Sequence, residues 1–266
     1  MNTKRNIGFT IIEVMLFLAI SSALLIALLV GMQASIERQR YYDSLVSLKA
    51  YLQMQYAYAA NVVNDRPANE NNKPVSVACN SNAQLSISSL QSTPNLGMSD
   101  CVIMGRYIYS NSNATEIMSS HVIGARDMTK DPAPSDIEEL SNFRYSVFTA
   151  STNSDIEAYY QPDKYSLSAN LQMKTTGADK QPKPFEMLII RSPITGMVMT
   201  FVKPGNPDGN IVSLIKNGKN DQPSVFCIMP LGFSLTPGQR MAIRVNAFAT
   251  SQSGVEIPKE TDNICQ

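Results

Sequence analysis

The chain has a single histidine, His121. Metal centres of the zinc type need several clustered ligands, so a lone histidine argues against one, and no metal or cofactor is expected. The phosphate loop G-x-x-x-x-G-K-[ST], the zinc helix H-E-x-x-H and the nucleophile elbow G-x-S-x-G are also missing. The chain is therefore read as a non-enzyme, and any ATPase acting on it is a separate protein. Asp208 in Gly205–Asn210 and Asp221 in Asn217–Asp221 do not fit the calcium-loop spacing, and turn chemistry accounts for both stretches. Charge is scarce. Only 17% of the 266 residues are Asp, Glu, Lys or Arg, against ~25% in ordinary globular chains. Basic and acidic residues number 22 each. A formal net charge of zero argues against a general nucleic-acid or membrane-surface protein.

Four cysteines are present, Cys79, Cys101, Cys227 and Cys265, with no C-x-x-C pair. An even number behind an N-terminal membrane signal reads as disulfides outside the cytoplasm. Three pairings are possible; the sequence-local one, Cys79–Cys101 with Cys227–Cys265, is favoured. Each bond would stabilise the fold by ~3–4 kcal/mol in the chain-entropy picture.

The N-terminus carries most of the information. From Phe9 to Met32 the chain is apolar except for Thr10, Glu13, Ser21, Ser22 and Gly31. As a helix this run is about 36 Å long, enough for a bilayer core of ~30 Å. Lys4 and Arg5 precede it and place the extreme N-terminus on the cytoplasmic side. The run is too long for a removable signal peptide, and no small-residue cleavage site closes it. A plain signal anchor fits the length and the flank but leaves Glu13 unexplained. A carboxylate inside a membrane helix costs at least ~2.5 kcal/mol near the centre and usually has a partner and a task. A cut between Gly8 and Phe9 would create an α-amino cation four residues before Glu13. The amine of one copy could then neutralise the carboxylate of the next.

The stretch Lys4-Arg5-Asn6-Ile7-Gly8-Phe9-Thr10-Ile11-Ile12-Glu13 resembles the N-terminal signal of type IV prepilins and type II secretion pseudopilins. The resemblance implies cleavage after Gly8 by a prepilin peptidase and methylation of Phe9. It makes Glu13 the fifth mature residue, the position that sets subunit registry in that family. It further implies other pilin or pseudopilin subunits and a membrane assembly platform as partners. The precursor would be a single-pass cytoplasmic (inner) membrane protein with its head outside, later part of a surface filament. Common major pilins carry Gly and Pro inside this helix; here the corresponding positions are Ser22 and Val30, which favours a minor subunit.

After Gly31, Ile36, Tyr41, Leu45, Leu48, Leu52, Tyr56, Ala59 and Val63 recur at three- and four-residue spacing, one face of an amphipathic helix. The aromatic residues Tyr41, Tyr51, Tyr56 and Tyr58 read as packing groups. Asn64-Asp65-Arg66-Pro67 is expected to end the helix. The expected organisation is therefore a leader at 1–8, a membrane or filament-core helix at 9–32, an amphipathic helix at 33–63 and a β-rich head at 64–266.

Residues 64–74 read as a polar loop. Predicted strands cover 101–109, 143–150, 164–174, 185–191, 196–202, 224–229 and 240–248. Phe185–Arg191 and Met197–Val202 form a predicted hairpin. Ser135-Asp136-Ile137-Glu138 has capping-box form and opens a predicted helix at 135–142. The expected fold is α+β, with an antiparallel sheet packed on the long N-terminal helix. By resemblance to pilins, Cys227–Cys265 pins the C-terminal segment. Asn113-Ala114-Thr115 matches a glycosylation triplet that is common by chance. Lys183, Arg191, Lys203, Lys216, Lys219, Arg240 and Arg244 outnumber Glu186, Asp208 and Asp221 late in the chain. A solvated face explains this; a head that binds nucleic acid or a surface ligand is the alternative.

Overall fold

A computed structural model describes residues 10–61, 76–79, 82–83, 85–88, 101–147, 162–168, 171–175, 183–231, 240–258 and 265. The chain is α+β. It begins with helix α1, Ile11–Ala60, unbroken over 50 residues, or about 75 Å. Nothing in this stretch forbids a helix. It holds no proline, it is rich in Leu, Ala, Met and Gln, and its only glycine, Gly31, has open space around it. The expected helix stop at 64–67 lies outside the described residues.

The chain divides into two units, 1–43 and 44–266, with α1 running through both. In the first unit every apolar side chain from Ile11 to Met32 is exposed. In the second, α1 buries Leu45, Leu48, Leu52, Tyr56 and Ala59.

The remaining elements are short. Strands β1 (Ser76–Cys79) and β2 (Leu85–Ser88) form a two-stranded ribbon. Strands β3 (Cys101–Ser110) and β4 (Glu116–Arg126) pair antiparallel, followed by α2 (Asp136–Ser141), β5 (Phe143–Val147), β6 (Asp163–Ser166) and β7 (Leu171–Thr175). Then come the hairpin β8 (Phe185–Arg191) and β9 (Val198–Pro204), α3 (Ile211–Asn217), β10 (Ser224–Pro230), β11 (Ala242–Val245) and β12 (Val255–Glu256). The main sheet runs β5-β4-β3-β8-β9, with β6 also on β4; a second runs β12-β11-β10-β7. All pairings are antiparallel. The rim strand β9 is bridged on its outer side by Lys219, through Val202 N to Lys219 O at 3.1 Å and the reverse bond at 2.8 Å.

Both faces of the main sheet are buried. On one, Tyr107, Leu188 and Phe201 share a core with Leu140 of α2 and Ile211, Leu214 and Ile215 of α3. A bulge between Ile103 and Gly105 turns Met104 into this core. Gly105 is needed there, because a Cβ would sit 2.0 Å from the Ile189 carbonyl oxygen. Strand alternation sends Arg106, Ile108, Ser119, Ile189 and Thr200 to the other face. There Tyr56 Oη of α1 lies 2.8 Å from Thr200 Oγ1, and Arg106 Nε donates to Gln55 Oε1 of α1 at 2.8 Å.

Two expectations are corrected. The single strand at 164–174 is two strands, β6 and β7, which belong to different sheets; Leu167 is buried between them. The strand at 240–248 stops at Val245, where the chain enters a turn. The helix α3 and the long strand β4 were not expected at all. The expected strand at 143–150 is described to Val147; its remainder lies outside the described residues.

Candidate functional site

Two regions hold the candidate groups: the start of α1 and the polar clusters of the head. Lys4, Arg5, Gly8 and Phe9 lie outside the described residues. Glu13 is exposed in the first turn of α1 and is the only ionisable side chain between Ile11 and Ile36. Its backbone N–H donates to Thr10 Oγ1 at 3.3 Å, while Thr10 N donates to Glu13 Oε2 at 3.5 Å. Thr10-Ile11-Ile12-Glu13 is thus a reciprocal capping box, legible in the sequence and overlooked there. The carboxylate sits among the free N–H groups of the helix start, where a negative charge is favoured. Further along, Ser22 Oγ donates to the Ala19 carbonyl at 3.0 Å, so its hydroxyl is satisfied within the helix. The helix α1 is long and apolar enough to cross a membrane.

Of the tyrosines expected to pack, Tyr41, Tyr51 and Tyr56 are buried, whereas Tyr58 is exposed. Burial pushes the Tyr56 hydroxyl well above the usual tyrosine range. Tyr51 stacks on Tyr165 at 5.0 Å between ring centres, and its hydroxyl donates to the Asp163 carbonyl at 3.2 Å. The Arg106 guanidinium lies 5.4 Å from the centre of the Tyr58 ring. Arg106 is buried and also bonds Ser119 Oγ at 2.5 Å and the Asp163 carboxylate. His121, opposite Arg106 on β4, is held down to about 4, first by burial and then by that guanidinium. No group of His, Cys, Asp or Glu able to hold a metal ion occurs among the described residues.

A second cluster was missed by the sequence reading. Glu186 is buried in β8, and three groups approach its carboxylate. Tyr107 Oη donates at 2.8 Å, Asp208 N donates at 3.3 Å, and Lys203 Nζ lies at 2.9 Å. Asp208 pairs with Lys203 at 3.0 Å and accepts from Asn210 N at 2.8 Å, and Asn210 caps α3. This is the turn chemistry expected of residues 205–210. The late basic residues are mostly engaged. Lys203 and Arg244 are in ion pairs, Arg191 Nε donates to the Gly196 carbonyl, and Arg240 Nη1 donates to the Cys265 carbonyl. In the turn of Asn113-Ala114-Thr115, Thr115 Oγ1 accepts from Asn111 Nδ2 at 3.1 Å. A charged residue inside an apolar strand, as in CVIMGRYIYS and FEMLIIR, was the available signal for both Arg106 and Glu186.

Cys227 and Cys265 form a disulfide with a Cα–Cα distance of 5.6 Å, across 38 residues. The side chain of Cys79 lies outside the described residues, and with it the expected Cys79–Cys101 bond. No known family model matches the chain, and no curated protein or solved structure is significantly similar to it.

Proposed function

We propose that this chain is a structural subunit of a type IV pilus-like filament, a minor pilin or pseudopilin. On this reading it is made as a membrane-held precursor, cut after Gly8 and methylated at Phe9. Residues 9–32 then pass from the membrane into the filament core. The observation that supports it is the composition of residues 11–32 of α1: a stretch whose apolar side chains are all exposed and whose single carboxylate, Glu13, stands in its first turn. A membrane anchor needs the apolar surface but not the acid. An anchor that must also register against identical neighbours has a use for both, because each new amine at Phe9 finds a carboxylate on an adjacent copy. The capping box gives Glu13 a local partner in the precursor and keeps the acid tolerable until assembly.

The second half of α1 serves the head on this reading. The burial of Leu45, Leu48, Leu52 and Tyr56 supports a role for it as the spine of the head, while Leu140 of α2 and Ile211 of α3 share a core with one face of the main sheet. The head is held outside the cytoplasm, where the Cys227–Cys265 bond persists.

Intact-mass measurement of the protein from its own membranes or sheared filaments tests the proposal. The expected species begins at Phe9, carries one added methyl group and retains its disulfides. A chain that keeps residues 1–8 alongside correctly cut prepilins overturns it.

A further inference from the structure

We infer that Asn217–Gly218 is a self-modification site. It is closed in the folded head, opens when α3 unravels, and yields an isoaspartyl product that does not re-form the cover on strand β9. The inference does not rest on the filament reading, since any protein with this head would carry the same site.

Asn217–Gly218 is the only Asn-Gly pair in the chain. Asparagine is thermolabile because its carboxamide lies within reach of the next backbone nitrogen. The Gly218 nitrogen, having lost its proton to solvent, would bond to Cγ of Asn217. The bond from Cγ to Nδ2 then breaks, and ammonia leaves a five-membered succinimide. Water opens the ring at either carbonyl. One opening gives aspartate. The other gives isoaspartate, whose backbone runs through Cβ and Cγ and is one carbon longer. Glycine in second place is the fastest case, because no Cβ shields its nitrogen or restricts its rotation.

The fold requires the glycine for a separate reason. A Cβ at 218 would sit 2.3 Å from the Leu214 carbonyl oxygen and 2.9 Å from Cβ of Phe201, so any side chain would force the backbone away. The same close approach blocks the reaction. Gly218 N donates to the Leu214 carbonyl at 2.7 Å, which holds the proton that must leave. Asn217 Nδ2 donates to Ser213 Oγ at 3.3 Å, which turns the carboxamide back along the helix. Asn217 is exposed, so burial does not protect it. Protection rests on α3 staying wound, and α3 is seven residues long, capped by Asn210, whose Oδ1 accepts from Ser213 N at 2.9 Å. The residue after Gly218 is Lys219, which covers β9 through two backbone bonds to Val202. A backbone lengthened by one carbon between α3 and Lys219 breaks that register.

The test uses the full chain in detergent, disulfides intact, at mildly alkaline pH with and without urea. Peptide mass reads conversion at position 217, and chromatography of the same peptides separates isoaspartate from aspartate. The folded chain is expected to react at least about tenfold more slowly than the chain in urea, because only the open fraction of α3 reacts. Asn210→Ala removes the cap and should raise the folded rate about fivefold, the usual worth of a cap, with the rate in urea unchanged. Asn217→Gln, whose longer side chain closes a ring far more slowly, supplies the unreacted reference. Returned from urea, the reacted chain should exchange the amide hydrogens of Val202 and Lys219 faster than Asn217→Gln carried through the same steps. Equal rates with and without urea overturn the proposal. So does a folded rate untouched by Asn210→Ala, or equal exchange at Val202 and Lys219 in the two chains.

Discussion

The first unit and the head solve opposite problems with similar residues. In residues 11–32 apolar side chains face outward and the one carboxylate has only its own helix start for company. In the head, apolar side chains face inward, and a carboxylate such as Glu186 is buried with a hydroxyl, an N–H and an ammonium around it. Among the described residues, the buried charges Arg106 and Glu186 of the head are paired with Asp163 and Lys203. Residues 11–32 leave their apolar surface exposed, in a helix long and apolar enough to cross a membrane. Perturbations of one region should therefore leave the other untouched.

The largest expected effect is confined to the head. Replacing Cys227 and Cys265 together by alanine frees a segment of 38 residues and should lower head stability by ~4 kcal/mol. Thermal unfolding followed by near-ultraviolet dichroism would show it, with membrane insertion unchanged. A drop in insertion as well would break the comparison.

A change in the first unit should do the reverse. Leu24→Arg places a cation amid the exposed apolar stretch and should weaken membrane insertion by ~3 kcal/mol. Carbonate extraction of membranes reads this directly. The melting midpoint of the head should not move.

The smallest effect is a dependence on pH that belongs to the head. His121 in the fold takes its proton only near pH 4, against 6.5 for the ordinary side chain. Between these values the unfolded chain binds the extra proton. Stability is therefore complete above pH 6.5 and declines as pH falls toward 4, by ~2–3 kcal/mol in all. Denaturant midpoints across that window should lose this slope in His121→Asn. The depressed carboxyls of Asp127 and Glu139 lose their contribution at lower pH, below the usual carboxylate range.

Much of the fold was legible because period and punctuation agree locally. The hairpin of β8 and β9 follows from two apolar runs around Ser-Pro-Ile-Thr-Gly, and Gly196 indeed takes a φ of +72°. Ser135 caps α2 as its spacing implied, accepting from Glu138 N at 3.4 Å. The failures are long-range. Strand β4 reads Glu-Ile-Met-Ser-Ser-His-Val-Ile-Gly-Ala-Arg, without clean alternation, because both of its faces are buried and one meets polar groups such as Arg106 and Gln55. Helix α3 is only seven residues with β-branched members, and its apolar side is defined by Phe201 and Leu188 rather than by its own pattern. No spacing in the chain announces that Gln55, Arg106, Ser119 and Asp163 meet; only the folded sheet brings them together. The capping box of Thr10 and Glu13 is the opposite case, a local signal carried entirely by the spacing Thr-x-x-Glu.

Strand β9 is the outer strand on its side of the main sheet, and a bare outer strand is a template for another chain. Two backbone bonds to Lys219 occupy it near its middle and set a charge on the rim. Heads that share one bilayer in the proposed precursor would be confined to a plane and oriented alike, the arrangement in which open sheet rims zip into aggregates. A rim already bonded to its own chain keeps such a population apart. Crowding can then rise without cross-sheet polymerisation, and association is left to side chains, which can choose their partners.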